Sequence, residues 1–139
     1  MGQQTWDEGF RLGIRKIDDE HATFLNILNS LENAVSQGRG KTEVGKTIDE
    51  LMLYAYNHFS GEEQMLRDYG YPDYERHKKI HEAATGKILE IADLHQAGFS
   101  DASQLISALT DWLIKHIQGT DKKYASFIAA LGVVREPLP

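Results

Sequence analysis

The sequence contains no cysteine, which excludes disulfide bonds, thiolate metal ligands and a cysteine nucleophile. It has only three prolines, and two of them, Pro137 and Pro139, stand at the C-terminal end, so the interior has almost no helix-breaking residue. No apolar run approaches the ~20 residues that a membrane-spanning helix requires. These absences favour long helices that do not cross a membrane.

Basic residues are outnumbered, since 15 Lys and Arg stand against 21 Asp and Glu, for a formal net charge of −6. A surface of this sign repels nucleic-acid phosphates and anionic lipids, so we expect neither nucleic-acid binding nor membrane insertion. The first eight residues lack the basic and then apolar build of a signal peptide. We therefore predict one cytoplasmic domain over residues 1–139, acting as a monomer, with no protein partner indicated.

Short joints at residues 38–40, 69–73 and 98–100 divide the chain into stretches of helical length. Within each stretch the apolar residues recur in alternating steps of three and four. This spacing is typical of helices that pack at shallow angles in a left-handed bundle. The sequence thus predicts an all-α fold, an antiparallel up-down-up-down four-helix bundle with an irregular N-terminal arm.

The predicted arm covers residues 1–17 and carries apolar side chains, among them Trp6, that can pack on the bundle. Acidic or hydroxyl side chains near the start of each stretch are expected to cap the helix N-termini. The expected capping residues are Asp18, Thr42, Asp73 and Ser100. The predicted helices span about residues 18–37, 42–69, 73–97 and 100–118, with a further helical segment at about 121–131.

Five of the six histidines and one glutamate share the inward phase and one end of the predicted bundle. A single histidine there is ordinarily a core residue, so the argument for a site comes from the set. Glu62 is the most informative member, because a buried carboxylate without a cation or donor costs several kcal/mol or takes up a proton. Its neighbour Glu63 is expected to face solvent. The set is His21, His58, Glu62, His77, His81 and His116.

The sixth histidine, His95, is also in the seam phase but lies 14 residues beyond His81. That separation is ~21 Å along a helix, which puts it at the opposite end of the bundle. We interpret His95 as a structural or partly exposed residue.

Imidazole nitrogens and carboxylate oxygens without sulfur suit iron, manganese or zinc better than copper(I) or an iron–sulfur cluster. The pairs His58/Glu62 and His77/His81 have the i, i+4 spacing that lets two ligands meet one metal or two adjacent ones. Five histidines and a carboxylate exceed what one metal takes while it keeps an open position, which favours a dinuclear centre. Ferritin-like centres use Glu-x-x-His pairs, and the sequence contains none.

Four segments carry a resemblance to a known family, in the same order and through nearly the whole chain. They are residues 6–21, ending in Ile17-Asp18-Asp19-Glu20-His21; residues 58–65, His58-Phe59-Ser60-Gly61-Glu62-Glu63-Gln64-Met65; residues 71–81, with Tyr71-Pro72 and His77-x-x-x-His81; and residues 112–124, from Trp112 to Tyr124. These segments resemble the hemerythrin family and, within it, the single-domain bacteriohemerythrins.

The resemblance implies a non-haem di-iron centre, with an oxo or hydroxo bridge, that binds O2 reversibly for storage, delivery or sensing and is not an enzyme. By resemblance, one iron with a vacant position holds O2 as hydroperoxide. The implied ligands are His77, His81 and His116 on one iron, His21 and His58 on the other, and Glu62 and Asp121 bridging both. Phe24, Phe59, Trp112 and Leu113 are expected by their positions to line the O2 pocket. An alternative is a di-iron oxidase, peroxidase or nitric-oxide-handling enzyme that uses the same ligands.

Asp121 does not follow the helical pattern, because it stands five residues after His116 and so about 140° away on a straight helix. The spacing by itself favours a surface aspartate. Our hypothesis is that the helix loosens, breaks or bulges around residues 117–120, with Gly119 easing the change. A straight helix with Asp121 facing solvent would contradict it.

Overall fold

The computed structural model describes residues 10–98 and 103–131. Its helices are α1 (Arg15–Ser36), α2 (Lys41–Asp68), α3 (Tyr74–Gln96), α4 (Ser103–Lys115) and α5 (Lys122–Ala130). A π-helical segment, His116–Asp121, joins α4 directly to α5. No strand occurs within these ranges, which confirms the all-α fold class.

The four long helices pack in a closed ring, in which α2 lies between α1 and α3 and α4 contacts both α1 and α3. The buried residues of α3 are His77, His81, Ala84, Ile88 and Ile91, in steps of four, three, four and three. This inward stripe is the predicted seam, and it contains both polar and aliphatic residues. The predicted antiparallel four-helix bundle is confirmed.

Glycine ends α1 and α2 in the same way. Gly38 and Gly70 have φ of 66° and 68°, a left-handed conformation that L side chains rarely adopt. At the first of these ends, the Arg39 amide donates to the Ala34 carbonyl and the Gly38 amide to the Val35 carbonyl. The chain can therefore leave each helix within a few residues, and the next helix runs back along it.

The start of α1 differs from the prediction, since α1 begins at Arg15, three residues before the expected Asp18. Asp18 does not cap the helix. It is buried and accepts hydrogen bonds from the backbone amides of Leu12, at 2.8 Å, and Gly13, at 3.2 Å. The carboxylate thus holds the end of the N-terminal arm against the first turns of α1, and the helix starts earlier because Asp18 has this other partner.

The other predicted caps are also corrected. Thr42 lies inside α2, whose N-cap is Gly40, and Asp73 is the N-cap of α3 but makes no capping hydrogen bond with its side chain. Ser100, like Trp6 of the arm, lies outside the described residues. Tertiary packing therefore determines where these helices begin.

Within the described ranges, no helix combines the length and the apolar character needed to cross a bilayer.

Candidate metal centre

Seven buried side chains from α1, α2, α3 and the π-helical segment meet near one end of the bundle. Glu62 and Asp121, with three histidines, offer five ligand atoms within 4.8 Å of one another, and Glu62 also forms such a group with the other two histidines. We call His77, His81 and His116 the three-histidine group, and His21 and His58 the two-histidine group.

Glu62 lies between the two groups and turns one carboxylate oxygen to each. Its Oε1 is 2.9 Å from the Nε2 atoms of both His77 and His81. Its Oε2 is 3.5 Å from Nε2 of His21 and 3.6 Å from Nε2 of His58. One buried carboxylate therefore lies within 3.6 Å of histidine nitrogens in both groups.

Asp121 repeats this arrangement from the other side of the bundle. Its Oδ1 is 2.9 Å from Nε2 of His116 and 3.1 Å from Nε2 of His77. Its Oδ2 is 3.1 Å from Nε2 of His21. Two carboxylates therefore face the same two groups of histidines, each with one oxygen per group.

The π-segment brings Asp121 inward. Its i→i+5 hydrogen-bond pattern returns residue 121 to the side of residue 116, whereas a regular α-helix would turn it away. The predicted departure from a straight helix around residues 117–120 is confirmed, and Asp121 is 0% exposed. The expected role of Gly119 is not: its φ is not positive, and an added Cβ would meet no atom within 4 Å.

Several of these buried atoms have no hydrogen-bond partner. The unpaired atoms include Nε2 of His21, His81 and His116 and both carboxylate oxygens of Asp121. Each lies 2.9–3.1 Å from a facing nitrogen or oxygen without making a hydrogen bond to it. Leaving such groups unpaired in a protein interior is costly. Cations placed among them would satisfy all of them, and a set of nitrogen and oxygen donors without sulfur suits iron, manganese or zinc. The residues fit a metal centre.

Comparison with known proteins agrees with this geometry. The family model of the hemerythrin HHE cation binding domain matches residues 12–128. The chain belongs to the hemerythrin family. A bacteriohemerythrin of Stenotrophomonas maltophilia (strain R551-3) is 33% identical over 130 residues, 94% of this chain and 84% of that protein. A bacteriohemerythrin of Pseudomonas aeruginosa (strain LESB58) is 32% identical over 128 residues, 92% of this chain and 83% of that protein.

Solved structures show the same fold. A crystal structure of wild-type hemerythrin superposes with a TM-score of 0.82 at 29% sequence identity, and the match covers 90% of this chain and 97% of the other. The match extends over nearly the whole hemerythrin chain, so the bundle and the helices that carry the seven side chains are features of the family fold.

Charge also shapes the centre of this hemerythrin. Burial raises the pKa of Glu62, but the imidazoles of His21, His77 and His81 outweigh burial and hold the pKa well below its ordinary value. Burial and the negative charge of Glu62 also raise the pKa of Asp121. The facing imidazoles lower it by more, so this pKa lies below its ordinary value. Both carboxylates are therefore charged at neutral pH.

The histidines respond in the opposite sense. Burial lowers the pKa values of His21 and His77, but Asp121 and Glu62 more than offset it and raise each to about 9. Protons on the imidazoles thus balance the carboxylates. Since a metal ion needs the neutral imidazole, binding of metal must release these protons.

Three residues beside the seven side chains of the centre have contacts that the sequence analysis missed. Glu20 and Glu63 approach Nδ1 of His58 and His81 at 2.8 Å each, and the expectation that Glu63 faces solvent is wrong, because its side chain is only 16% exposed. The Tyr124 hydroxyl donates to Glu62 Oε2 at 2.7 Å. Burial raises the pKa of Tyr124 well above its ordinary value, which keeps the donor protonated.

The signals for these three residues were weak. Glu20 and Glu63 each stand next to a ligand in sequence, at the margin of the seam, where a charged side chain is ordinarily solvated. Tyr124 follows Asp121 by three residues within the resemblance, and its apolar ring by itself indicates only a core position.

Three of the four side chains expected to line a pocket lie against histidine rings. Phe59 stacks on His81 with ring centroids 4.1 Å apart, and Trp112 stacks on His116 at 4.5 Å. Phe24 meets His58 edge-on at 6.0 Å. Leu113 is buried, and Trp112 is half-buried. Aromatic rings thus contact histidines of both groups.

His95 lies away from this centre. Its Nε2 is 3.0 Å from the Lys41 carbonyl at the start of α2, and its side chain is partly exposed. The metal-capable groups found in the described ranges do not include it. The interpretation of His95 as a structural, partly exposed histidine is confirmed.

Proposed function

We propose that this hemerythrin-family protein binds O2 reversibly at a pair of iron ions, for storage, delivery or sensing. The observation that carries the proposal is the arrangement of Glu62 and Asp121, each with one oxygen toward the three-histidine group and one toward the two-histidine group. Two carboxylates shared in this way are what a bridged pair of metal ions needs.

The two groups differ by one nitrogen ligand. The three-histidine group with both carboxylates offers five ligand atoms, whereas the two-histidine group with the same carboxylates offers four. We therefore assign the open position, and with it O2, to the metal beside His21 and His58. When bound, a pair of ferrous ions supplies the two electrons that O2 takes up and returns on release.

We propose that the chain itself supplies a dry pocket for O2. Phe24, Phe59, Trp112 and Leu113 are proposed to line it, and none of them carries a group that titrates near neutral pH. Excluding water protects the bound gas from proton-driven loss. Catalysis would require an acid–base group or a substrate contact beside the open position, so these side chains favour a binding protein over an oxidase, peroxidase or nitric-oxide-handling enzyme.

The test is to load the protein anaerobically with ferrous iron, count the metal, add O2 and then remove it. Two irons per chain and an absorption band of charge transfer to iron that appears and disappears with O2 would support the proposal. Irreversible oxidation with turnover of an added reductant would support the enzyme instead. A purified protein that holds zinc, or one metal per chain, would contradict the di-iron centre.

A further inference from the structure

Two glutamates outside the ligand set contact the histidines in the same way. Glu20 Oε1 lies 2.8 Å from Nδ1 of His58, and Glu63 Oε2 lies 2.8 Å from Nδ1 of His81. His58 belongs to the two-histidine group and His81 to the three-histidine group. Each proposed metal position thus has one histidine whose Nδ1 contacts a carboxylate.

A carboxylate only accepts hydrogen bonds, so Nδ1 of each histidine must carry the hydrogen that it donates. In the neutral imidazole this leaves a lone pair on Nε2, the nitrogen that faces Glu62 at 3.6 Å from His58 and 2.9 Å from His81. The other tautomer would carry a hydrogen on Nε2 and could not bind a metal there.

We propose that Glu20 and Glu63 are positioning residues, one for each metal position, which hold His58 and His81 in the tautomer and ring orientation that direct Nε2 into the centre. The inference rests on the proposed metal centre. It goes further by assigning Glu20 to the two-histidine group and Glu63 to the three-histidine group. Such partners of ligand histidines orient the ring and strengthen the metal–nitrogen bond.

The surroundings of the two glutamates suit this role. Their side chains are 23% and 16% exposed, whereas those of His58 and His81 are 3% and 2% exposed. Glu20 and Glu63 thus keep part of their hydration, while the histidines that they hold are buried. Glu20 is itself held by Lys16, whose Nζ is 2.8 Å from its second oxygen.

Each of the two contacts joins a different pair of helices. Glu20 on α1 reaches across to α2, and Glu63 on α2 reaches across to α3, so each hydrogen bond joins two neighbouring helices at the height of the centre. By contrast, Nδ1 of His21 has no hydrogen-bond partner among the described residues. In the two-histidine group, therefore, Glu20 holds one ligand while the other is placed by packing.

The experiment uses Zn2+ as a diamagnetic probe in the full-length protein, with Glu20→Ala, Glu20→Gln, Glu63→Ala and Glu63→Gln. Competition with a chelator measures the affinity of each position, and nitrogen-15 NMR of the histidine rings reports which nitrogen carries the hydrogen. Asp19→Asn and Glu82→Gln are matched controls, because each removes an exposed charge within two residues of a histidine of the centre.

We expect each alanine variant to weaken Zn2+ binding about 10- to 100-fold at one position only, with the glutamine variant intermediate, because its amide oxygen still accepts the hydrogen bond. In the metal-free protein, the Nδ1–H signal of His58 should be lost in Glu20→Ala and that of His81 in Glu63→Ala, because the hydrogen bond that holds this hydrogen is removed. The glutamine variants keep the side-chain shape, so they provide the test even if an alanine variant does not fold.

Wild-type affinity and unchanged ring signals in all four variants would overturn the positioning role and leave O2 binding intact. Equal weakening of both positions by either glutamate would also overturn it. A wild-type protein that does not take up two Zn2+ ions would instead contradict the proposed function itself, so the two failures are distinguishable.

Discussion

The two ends of the bundle are built on the same helical pattern and filled with different side chains. On α3 the inward stripe begins with His77 and His81 and continues with Ala84, Ile88 and Ile91. Toward the far end the buried residues of this stripe are therefore aliphatic. At the centre, unpaired nitrogen and oxygen atoms lie within about 3 Å of one another.

This contrast shows how one fold separates stability from function. Close-packed aliphatic side chains lower the free energy of the folded state by leaving water. Buried polar atoms without partners raise it, and the rest of the structure must compensate. The aliphatic end therefore supports a polar end that would not be stable by itself, and substitutions at the two ends should have different consequences.

The largest expected effect is at Glu62. Because this carboxylate faces both histidine groups, Glu62→Ala should abolish loading of both metals, measured as iron per chain after anaerobic reconstitution. His77→Ala should do the same, since His77 contacts Glu62 and Asp121 together. Retention of one full equivalent of iron in Glu62→Ala would contradict a shared carboxylate.

A substitution at the aliphatic end should instead cost stability. Leu31 on α1 is 0% exposed, so Leu31→Ala removes buried methyl groups and should lower the free energy of unfolding by about 2–5 kcal/mol. Denaturant unfolding measures this loss. Iron per chain should stay at the wild-type value, and a parallel loss of iron would show that the two ends are not independent.

The free energy of unfolding of the chelator-stripped protein should depend on pH, because the titratable groups of the centre change their pKa values on folding. The pKa values of His21 and His77 rise from 6.5 to about 9 on folding, so their contribution is fully present below pH 6.5 and is lost as the pH rises through 9. One such shift corresponds to on the order of 3 kcal/mol. The lowered pKa values of Glu62 and Asp121 act in the opposite direction, since their contribution is lost on acidification.

Unfolding of the stripped protein followed from pH 4 to pH 10 should thus show a maximum on the acidic side of neutrality. Stability that stays level from pH 6.5 to 10 would contradict the charge balance described for the centre. The His77→Ala variant is a useful control, because its free energy of unfolding should fall less between pH 6.5 and pH 10 than that of the wild type.

The smallest effect is expected at His95, where the same residue type lies outside the centre. His95→Ala removes one hydrogen bond to the Lys41 carbonyl and should lower the free energy of unfolding by about 1 kcal/mol. Iron loading should equal that of the wild type. A loss of iron in this variant would mean that the far end of α3 influences the centre.

Much of the fold could be predicted because helical periodicity is a local property. The alternation of three and four residues assigns an inward face to each helix without knowledge of its neighbours, and His21, His58, Glu62, His77, His81 and His116 fall on that face. Helix starts were less predictable, as Asp18 shows, because a capping residue that finds another partner no longer marks the N-terminus.

Asp121 marks the limit of this reasoning. Its spacing from His116 is wrong for an α-helix, and only the resemblance to hemerythrins placed it among the ligands. The spacing alone does not indicate the π-segment that turns Asp121 inward in the structure.

By itself, the sequence determined the helical bundle, the end of it at which histidines and a carboxylate gather, and the absence of sulfur from the donor set. Only the tertiary structure decided which oxygen of Glu62 and Asp121 faces which histidine. It also decided that Glu20, Glu63 and Tyr124 contact His58, His81 and Glu62 respectively. The reason is physical: a helix pattern specifies a side chain's direction around one axis, whereas a contact requires the distance and rotation between two axes.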